Sequence, residues 1–253
     1  MRRIPGSHLP KEFLTLLETP GSSYASLSGT TKDSLRRSLL EAQSGCCAYC
    51  EREIVWSEDD PALKLSEVTV IEHFHPQSLP TASGDADCLN RIKFVPDATE
   101  TNHSASLEPN NLLLSCDGNR ADGRNGHRTC DNKKGNSHIC AMLHNPKTVS
   151  IDIDFMGVVG ADGKFVPLVY PYDGKSAASA VDEVLNLNED RLVRIRRDLR
   201  SKYSEKAMEA IEKAPARQKR ELLESITKQM FEDAKRVPFG STMASLAVEL
   251  MKK

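Results

Sequence analysis

A chain of 253 residues, 39% hydrophobic and 28% charged, has room for one large domain or two modest ones and is too apolar for wholesale disorder. Its formal charge of −2 gives no global attraction to polyanions, so any nucleic-acid contact must come from local patches. The longest apolar runs span a few residues, which excludes a transmembrane helix, and no apolar stretch follows Met1-Arg2-Arg3 as a signal peptide requires; a cytoplasmic location and no membrane partner are expected.

Pro5, Gly6 and Pro10 interrupt any helix, so residues 1–10 read as an extended arm. Phe13, Leu14, Leu16 and Leu17 predict a short helix that stops before Pro20-Gly21. A second helix is expected from Thr31 to about Gln43, with Leu35, Leu39 and Leu40 on one face and Ser44-Gly45 at its end. Cys47-Ala48-Tyr49-Cys50 then forms a tight knuckle, with a small hairpin expected around Glu53-Ile54-Val55-Trp56. The β-branched run from Glu67 to Ile71 predicts a strand stopped by Pro76, which puts Glu72 and His73 at a strand end. Residues 77–108 have no period and read as a loop, Asn111 to Cys116 as a short buried segment, and Asp117 to Thr129 as another loop. A helix is expected from Asp131 to about His138. Ile151 to Phe155 alternates like a half-exposed strand, and two more strands flank the Asp162-Gly163 turn. From Ala177 the chain turns helical, with Val181, Leu185, Leu187, Leu192 and Ile195 spaced for a core face. Further helices are expected over 202–213, 215–236 and 241–252.

Seven cysteines stand at 46, 47, 50, 88, 116, 130 and 140. An odd number of clustered thiols fits metal binding better than a disulfide framework. Cys47, Cys50, Cys116 and Cys130 suit a closed tetrahedral zinc site whose task is folding, with His127, three residues before Cys130, as a competing ligand. Cys46, Cys88 and Cys140 lack partners at ligand spacing. Between the cysteine pairs lies Ile71-Glu72-His73-Phe74-His75-Pro76. A histidine beside a carboxylate can act as a general base near neutral pH, and Glu72 with Asp131 offers the oxygen ligands that Mg2+ or Mn2+ prefers. His75 is expected on the same side of the strand as His73.

The order Cys-x-x-Cys, Glu-His-x-x-Pro, Asn-Leu-x-x-x-Cys and Cys-Asp-x-x-Lys-Gly resembles the HNH endonuclease family, whose ββα-metal core is often stapled by a four-cysteine zinc. The resemblance implies that His73 activates water for attack on a phosphodiester, that Glu72 is the acidic ligand of the catalytic ion, and that Asn111 orients the hairpin. Asp131 falls where the family usually carries Asn or His, and Lys134 matches a helix lysine expected to face phosphate. Cys-Ala-Tyr-Cys-Glu, Ile-Glu-His-Phe-His-Pro, Cys-Asp-Asn-Lys-Lys-Gly and Val-Leu-Asn-Leu-Asn-Glu-Asp-Arg-Leu are similar more narrowly to the PtuB-type HNH proteins of Septu and retron-associated anti-phage systems. That similarity implies a PtuA-type ATPase as partner, with a retron reverse transcriptase and its RNA–DNA as further candidates. DNA is the expected substrate and tRNA the alternative; a catalytically silent zinc-stapled binding module is the competing class.

Arg120, Arg124, Arg128, Lys133 and Lys134 adjoin the motif and are expected to meet the phosphate backbone. Arg194, Arg196, Arg197, Arg200 and Lys202 are expected to form a solvated helix face or a partner surface. The expected class is α+β, mostly helical: an arm with helices over 1–45, a ββα-metal core with structural zinc over 46–145, and a hairpin followed by a helical region over 146–253.

Overall fold

The computed structural model describes residues 1–57, 59–60, 64–77, 104–119, 127–149, 153–168 and 173–252. Cys88, Arg120, Arg124, Ile151 and Asp152 therefore lie outside the described residues, as does most of the 77–108 loop. The chain is α+β: helix makes up about half of what is described, and the strands form two small antiparallel sheets.

Helix α1 spans Lys11–Glu18 and buries Phe13; α2 spans Gly29–Ala42. Ser28 caps α2 by accepting from the Thr31 amide at 3.1 Å, so the helix starts two residues before the predicted Thr31. Leu35 and Leu39, four residues apart on one face, are fully buried; each contributes about 1.5–3 kcal/mol relative to exposure. Beyond α2, Gln43 is buried and joins three segments. Its amide nitrogen donates to the Cys46 carbonyl at 2.7 Å and the Leu114 carbonyl at 2.8 Å, while its side-chain oxygen accepts from the Leu114 amide at 2.8 Å. This clamp delivers the chain to the cysteine knuckle, where Cys46 bridges Glu53 in place of the hairpin expected at 53–56.

The predicted strand over 67–71 is displaced. Leu65–Val68 forms a helical turn, α3, and strand β1 runs Thr69–His73. It pairs with β2, Leu112–Cys116, in the register Thr69↔Cys116, Ile71↔Leu114 and His73↔Leu112. All of β2 is buried, as its near-continuous apolar run implies. Helix α4, Cys130–Lys134, packs against β2 and is shorter than the stretch to His138 expected for it, because Gly135 takes φ +52° and ends it.

Strands β3, Gly157–Val159, and β4, Phe165–Pro167, pair across the predicted Asp162-Gly163 turn. Of the strand expected over 151–155, the described part shows a single bridge, Phe155 to Arg2. Helix α5, Gly174–Ser179, continues as a π turn over Ala180–Val184. Helix α6 then runs unbroken over Asp190–Lys213, α7 over Lys219–Ala234 and α8 over Gly240–Leu250, with breaks at Pro215 and Pro238. The basic cluster on α6 divides: Arg194, Arg197 and Lys202 are exposed, whereas Arg196 and Arg200 are buried. Arg196 donates to the Leu187 carbonyl at 2.7 Å, and Arg200 pairs with Glu249. The expectation of a solvated face or partner surface holds for part of the cluster, because the helical period that turns Arg196 and Arg200 inward is hidden among their charged neighbours.

One continuous core runs from Met1 to Phe239 and draws on all three stretches distinguished in the sequence. The N-terminal arm is part of it: Met1 and Ile4 are buried, and Arg2 donates to the carbonyls of Gln43 and Val237. Glu51, in the left-handed region at φ +61°, ties the knuckle to α8 by accepting from the Ser241 amide at 2.8 Å and pairing with the Met1 ammonium at 2.9 Å. Among the described residues no helix is long and apolar enough to cross a membrane.

Lys147 gives a pH signature. Its ammonium donates to the Pro109 carbonyl at 2.9 Å, and burial lowers its pKa to about 7. Because the unfolded chain binds this proton up to the ordinary lysine range, stability contributed here rises as pH increases from about 7 toward 10. Lys147→Met is expected to flatten that rise in urea midpoints measured over the window; identical slopes for both proteins would refute the assignment.

Candidate functional site

The knuckle, β2 and α4 converge on sulfur. The ligand atoms of Cys47, Cys50, Cys116 and Cys130 all lie within 4.8 Å of one another, and all four residues are buried. Cys47 Sγ is 3.7 Å from Cys130 Sγ, Cys50 Sγ is 3.8 Å from Cys116 Sγ, and Cys116 Sγ is 3.9 Å from Cys130 Sγ. Four thiolates at zinc–sulfur bonding distance around a tetrahedral ion stand about 3.8 Å apart. The group could hold a metal ion such as zinc.

Each cysteine is placed by a local device. The Ala48 amide donates to the Leu114 carbonyl at 3.0 Å and fastens the knuckle to β2. Gly118, at φ +58°, lets the loop after Cys116 turn back on Thr129; a Cβ there would lie 2.2 Å from the Thr129 carbonyl oxygen. Cys130 itself sits at φ +55°, its amide held by the Leu185 carbonyl at 2.8 Å. The Leu185-Asn186-Leu187-Asn188-Glu189 segment thus acts as a clamp. Asn186 donates to the Arg128 carbonyl at 2.9 Å, and Glu189 caps α6 while bonding His127 Nδ1 at 2.9 Å. The gathered ligand group consists of the four cysteines, and His127 is not part of it. Opposite, Arg52 pairs with Asp117 at 2.8 Å; burial would lower its pKa, but negative charge at Cys116, Cys50 and Asp117 raises it.

Beside the sulfur cluster, the end of β1 carries Glu72 and His73, both buried. Tyr49, inside the knuckle, donates to Glu72 Oε1 at 2.9 Å, and Lys134 pairs with the same oxygen at 2.7 Å. Burial pushes the Glu72 carboxyl well above its ordinary range; a hydrogen bond with Asp131 pushes it further and the Lys134 ammonium pulls it back. Glu72 and Asp131 are therefore brought together. Lys134 joins them from inside the fold: expected to face phosphate, it is instead 2% exposed, and it also donates to the His73 carbonyl at 3.0 Å. A lysine at the end of a five-residue helix packed on β2 reaches inward to the nearest carboxylate. Lys133 is exposed, Arg128 is half-buried, and Arg124 lies outside the described residues.

His73 Nε2 lies 2.9 Å from the Ser106 carbonyl oxygen, and Gln77 Nε2 is 2.9 Å from both His73 ring nitrogens. Donation from Nε2–H to Ser106 leaves Nδ1 to accept from Gln77. Burial lowers the His73 pKa to about 4, so the ring is neutral at physiological pH. Asn111 is fully buried; its side-chain oxygen accepts from the His75 amide at 2.7 Å and its nitrogen donates to the His75 carbonyl at 3.0 Å. Here the asparagine staples the chain just past β1 to the start of β2.

The sequence reading missed Tyr49 and the inward role of Lys134. It also set Cys140 aside, although Cys140, His138 and His75 gather into a second potential ligand group. The signal for Cys140 was His-x-Cys, two ligand types two residues apart, which carries little weight until His75 is brought alongside. His75 was placed beside His73 by strand alternation, but β1 ends at His73 and the alternation ends with it.

No family model, curated protein or solved structure matches this chain.

Proposed function

We propose that this chain is a metal-dependent endonuclease of the HNH type, hydrolysing phosphodiester bonds of nucleic acid with DNA as the substrate, and that it serves anti-phage defence together with a PtuA-type ATPase. The observation that carries the reading is the gathering of His73, Glu72, Asp131 and Asn111 around β1, β2 and α4, next to the four-cysteine group. Two paired strands followed by a helix, with four thiols gathered beside them, support the ββα-metal reading that the family resemblance implies.

The donor chemistry suits a hard divalent cation. Two carboxyl groups that share one position, with Glu72 pushed toward its protonated form by burial and by Asp131, are relieved by positive charge there. Glu72 and Asp131 would hold Mg2+ or Mn2+, which bound there supplies Lewis acidity toward a phosphate oxygen. His73, neutral, takes a proton from the attacking water at Nδ1 once Gln77 yields that nitrogen. Ser106 fixes the ring through Nε2, and Asn111 fixes the backbone just beyond. Lys134 and Tyr49 hold Glu72 in place rather than touching substrate.

His73→Ala is expected to reduce cleavage of plasmid or tRNA by about 10²–10⁴-fold with Mg2+ or Mn2+ and the ATPase present. Equal cleavage by both proteins rejects His73 as the base. A second reading, a catalytically silent binding module, is favoured by one observation: both ring nitrogens of His73 are engaged by protein groups. Absence of cleavage by the wild type under every condition, with nucleic acid still bound, would support it.

A further inference from the structure

A second group of soft and borderline ligands includes His75, whose backbone Asn111 holds. His75, His138 and Cys140 bring their ligand atoms within 4.8 Å of one another. His75 and Cys140 are buried and His138 is half-buried. Cys140 Sγ stands 3.6 Å from His75 Nδ1. Sulfur and imidazole nitrogen bound to one tetrahedral zinc stand about 3.6 Å apart. We propose that His75, His138 and Cys140 form a second metal site, for a borderline divalent ion that its donor set identifies as zinc, with the fourth position open to water.

One thiolate and two imidazoles are the ligand types that zinc takes, and three protein ligands leave the open position typical of a non-structural zinc centre. The ligands are held where such a site needs them. Asn111 bonds both the amide and the carbonyl of His75, fixing the first ligand's backbone. The site's place in the chain gives it a mechanical consequence. The segment that supplies Cys130 to the sulfur cluster continues through Asp131 and Lys134 to His138 and Cys140, while β1 leads through Glu72 and His73 to His75. A metal at each end would pin α4 to β1 on both sides of the Glu72–Asp131 pair. The inference stands on the three ligands and is independent of the nuclease reading.

The test is metal content of the full chain purified without chelator, together with Co2+ titration of the metal-free protein. Wild type is expected to hold two zinc ions per chain, and Cys140→Ser and His75→Gln one each. The second cobalt equivalent should give a weaker thiolate-to-cobalt charge-transfer band than the first, since one thiolate replaces four. His138→Gln, at a half-exposed position where replacement perturbs the core least, should also hold one ion and guards against a variant that fails to fold. One ion per chain in wild type and in Cys140→Ser alike, or two in both, would overturn the proposal.

Discussion

Cys116→Ser is expected to abolish the cooperative unfolding transition of this chain at neutral pH. Cys116 ends β2 and its sulfur lies against both Cys50 and Cys130, so it joins knuckle, strand and helix at one point. Structural zinc sites contribute about 10–16 kcal/mol of apparent binding free energy, while whole domains are stable by about 5–15 kcal/mol. Weakening the site by replacing a thiolate with a hydroxyl therefore consumes most or all of the margin. Without a cation, hydrogen bonding with Cys116, Cys47 and Cys50, then burial, hold the Cys130 thiol well above its ordinary pKa, so metal binding has to displace its proton. Cys46→Ser is the control. Cys46 is buried beside the cluster but outside it, its thiol pushed up to about 11 by burial, and its loss is expected to cost little. Thermal melts followed by circular dichroism, with zinc measured on the same samples, decide the matter. A chelator-treated, zinc-free wild type that melts at the temperature of the untreated protein would reject a structural metal at these four cysteines.

Much of this arrangement is legible in the residues, for reasons that differ from element to element. The leucine period of α2, the apolar run of β2 and the Asp162-Gly163 turn are local signals, and their elements lie close to where that chemistry puts them. The four cysteines that gather were legible because an odd number of clustered thiols fits metal binding better than a disulfide framework. Displacement of β1 was not legible, because Leu65–Val68 closes a helical turn through the Thr69 hydroxyl, which donates to the Leu65 carbonyl. Nor was the clamp at 185–189. Its leucines advertised a core face, but its asparagines bond Arg128 and Phe165, partners more than twenty residues away. Long-range polar contacts of this kind leave no period behind. The same holds for the ligand trio at His75, His138 and Cys140, which only the turn after β1 and the end of α4 bring together.

Lys134 shows most sharply what burial changes. A lysine on a helix beside a candidate nuclease centre suggests a phosphate contact, and the prediction from that role is specific. Its replacement would weaken nucleic-acid binding and lower the salt slope by about one, leaving stability alone. The geometry predicts the opposite. Lys134 and Glu72 are 2% and 4% exposed and 2.7 Å apart, and burial followed by a hydrogen bond with Asp131 already pushes Glu72 toward its protonated form. Lys134→Met removes the cation and leaves two neighbouring carboxyls with Tyr49 as the donor to Glu72 Oε1. Breaking a buried pair from one side costs about 3–5 kcal/mol, whereas neutralising both partners can be nearly free. Lys134→Met is therefore expected to lower the urea midpoint strongly at unchanged m-value, and Glu72→Gln added to it to restore most of the loss. The double variant should remain folded yet inactive, because Glu72 is then an amide and a poor ligand for a hard cation. If Lys134→Met unfolds at the wild-type urea concentration while binding nucleic acid less tightly, the lysine faces phosphate in solution and the buried pair is wrong. If the double variant is no more stable than the single one, Lys134 acts through its bond to the His73 carbonyl instead, and the lysine positions the histidine rather than the carboxylate.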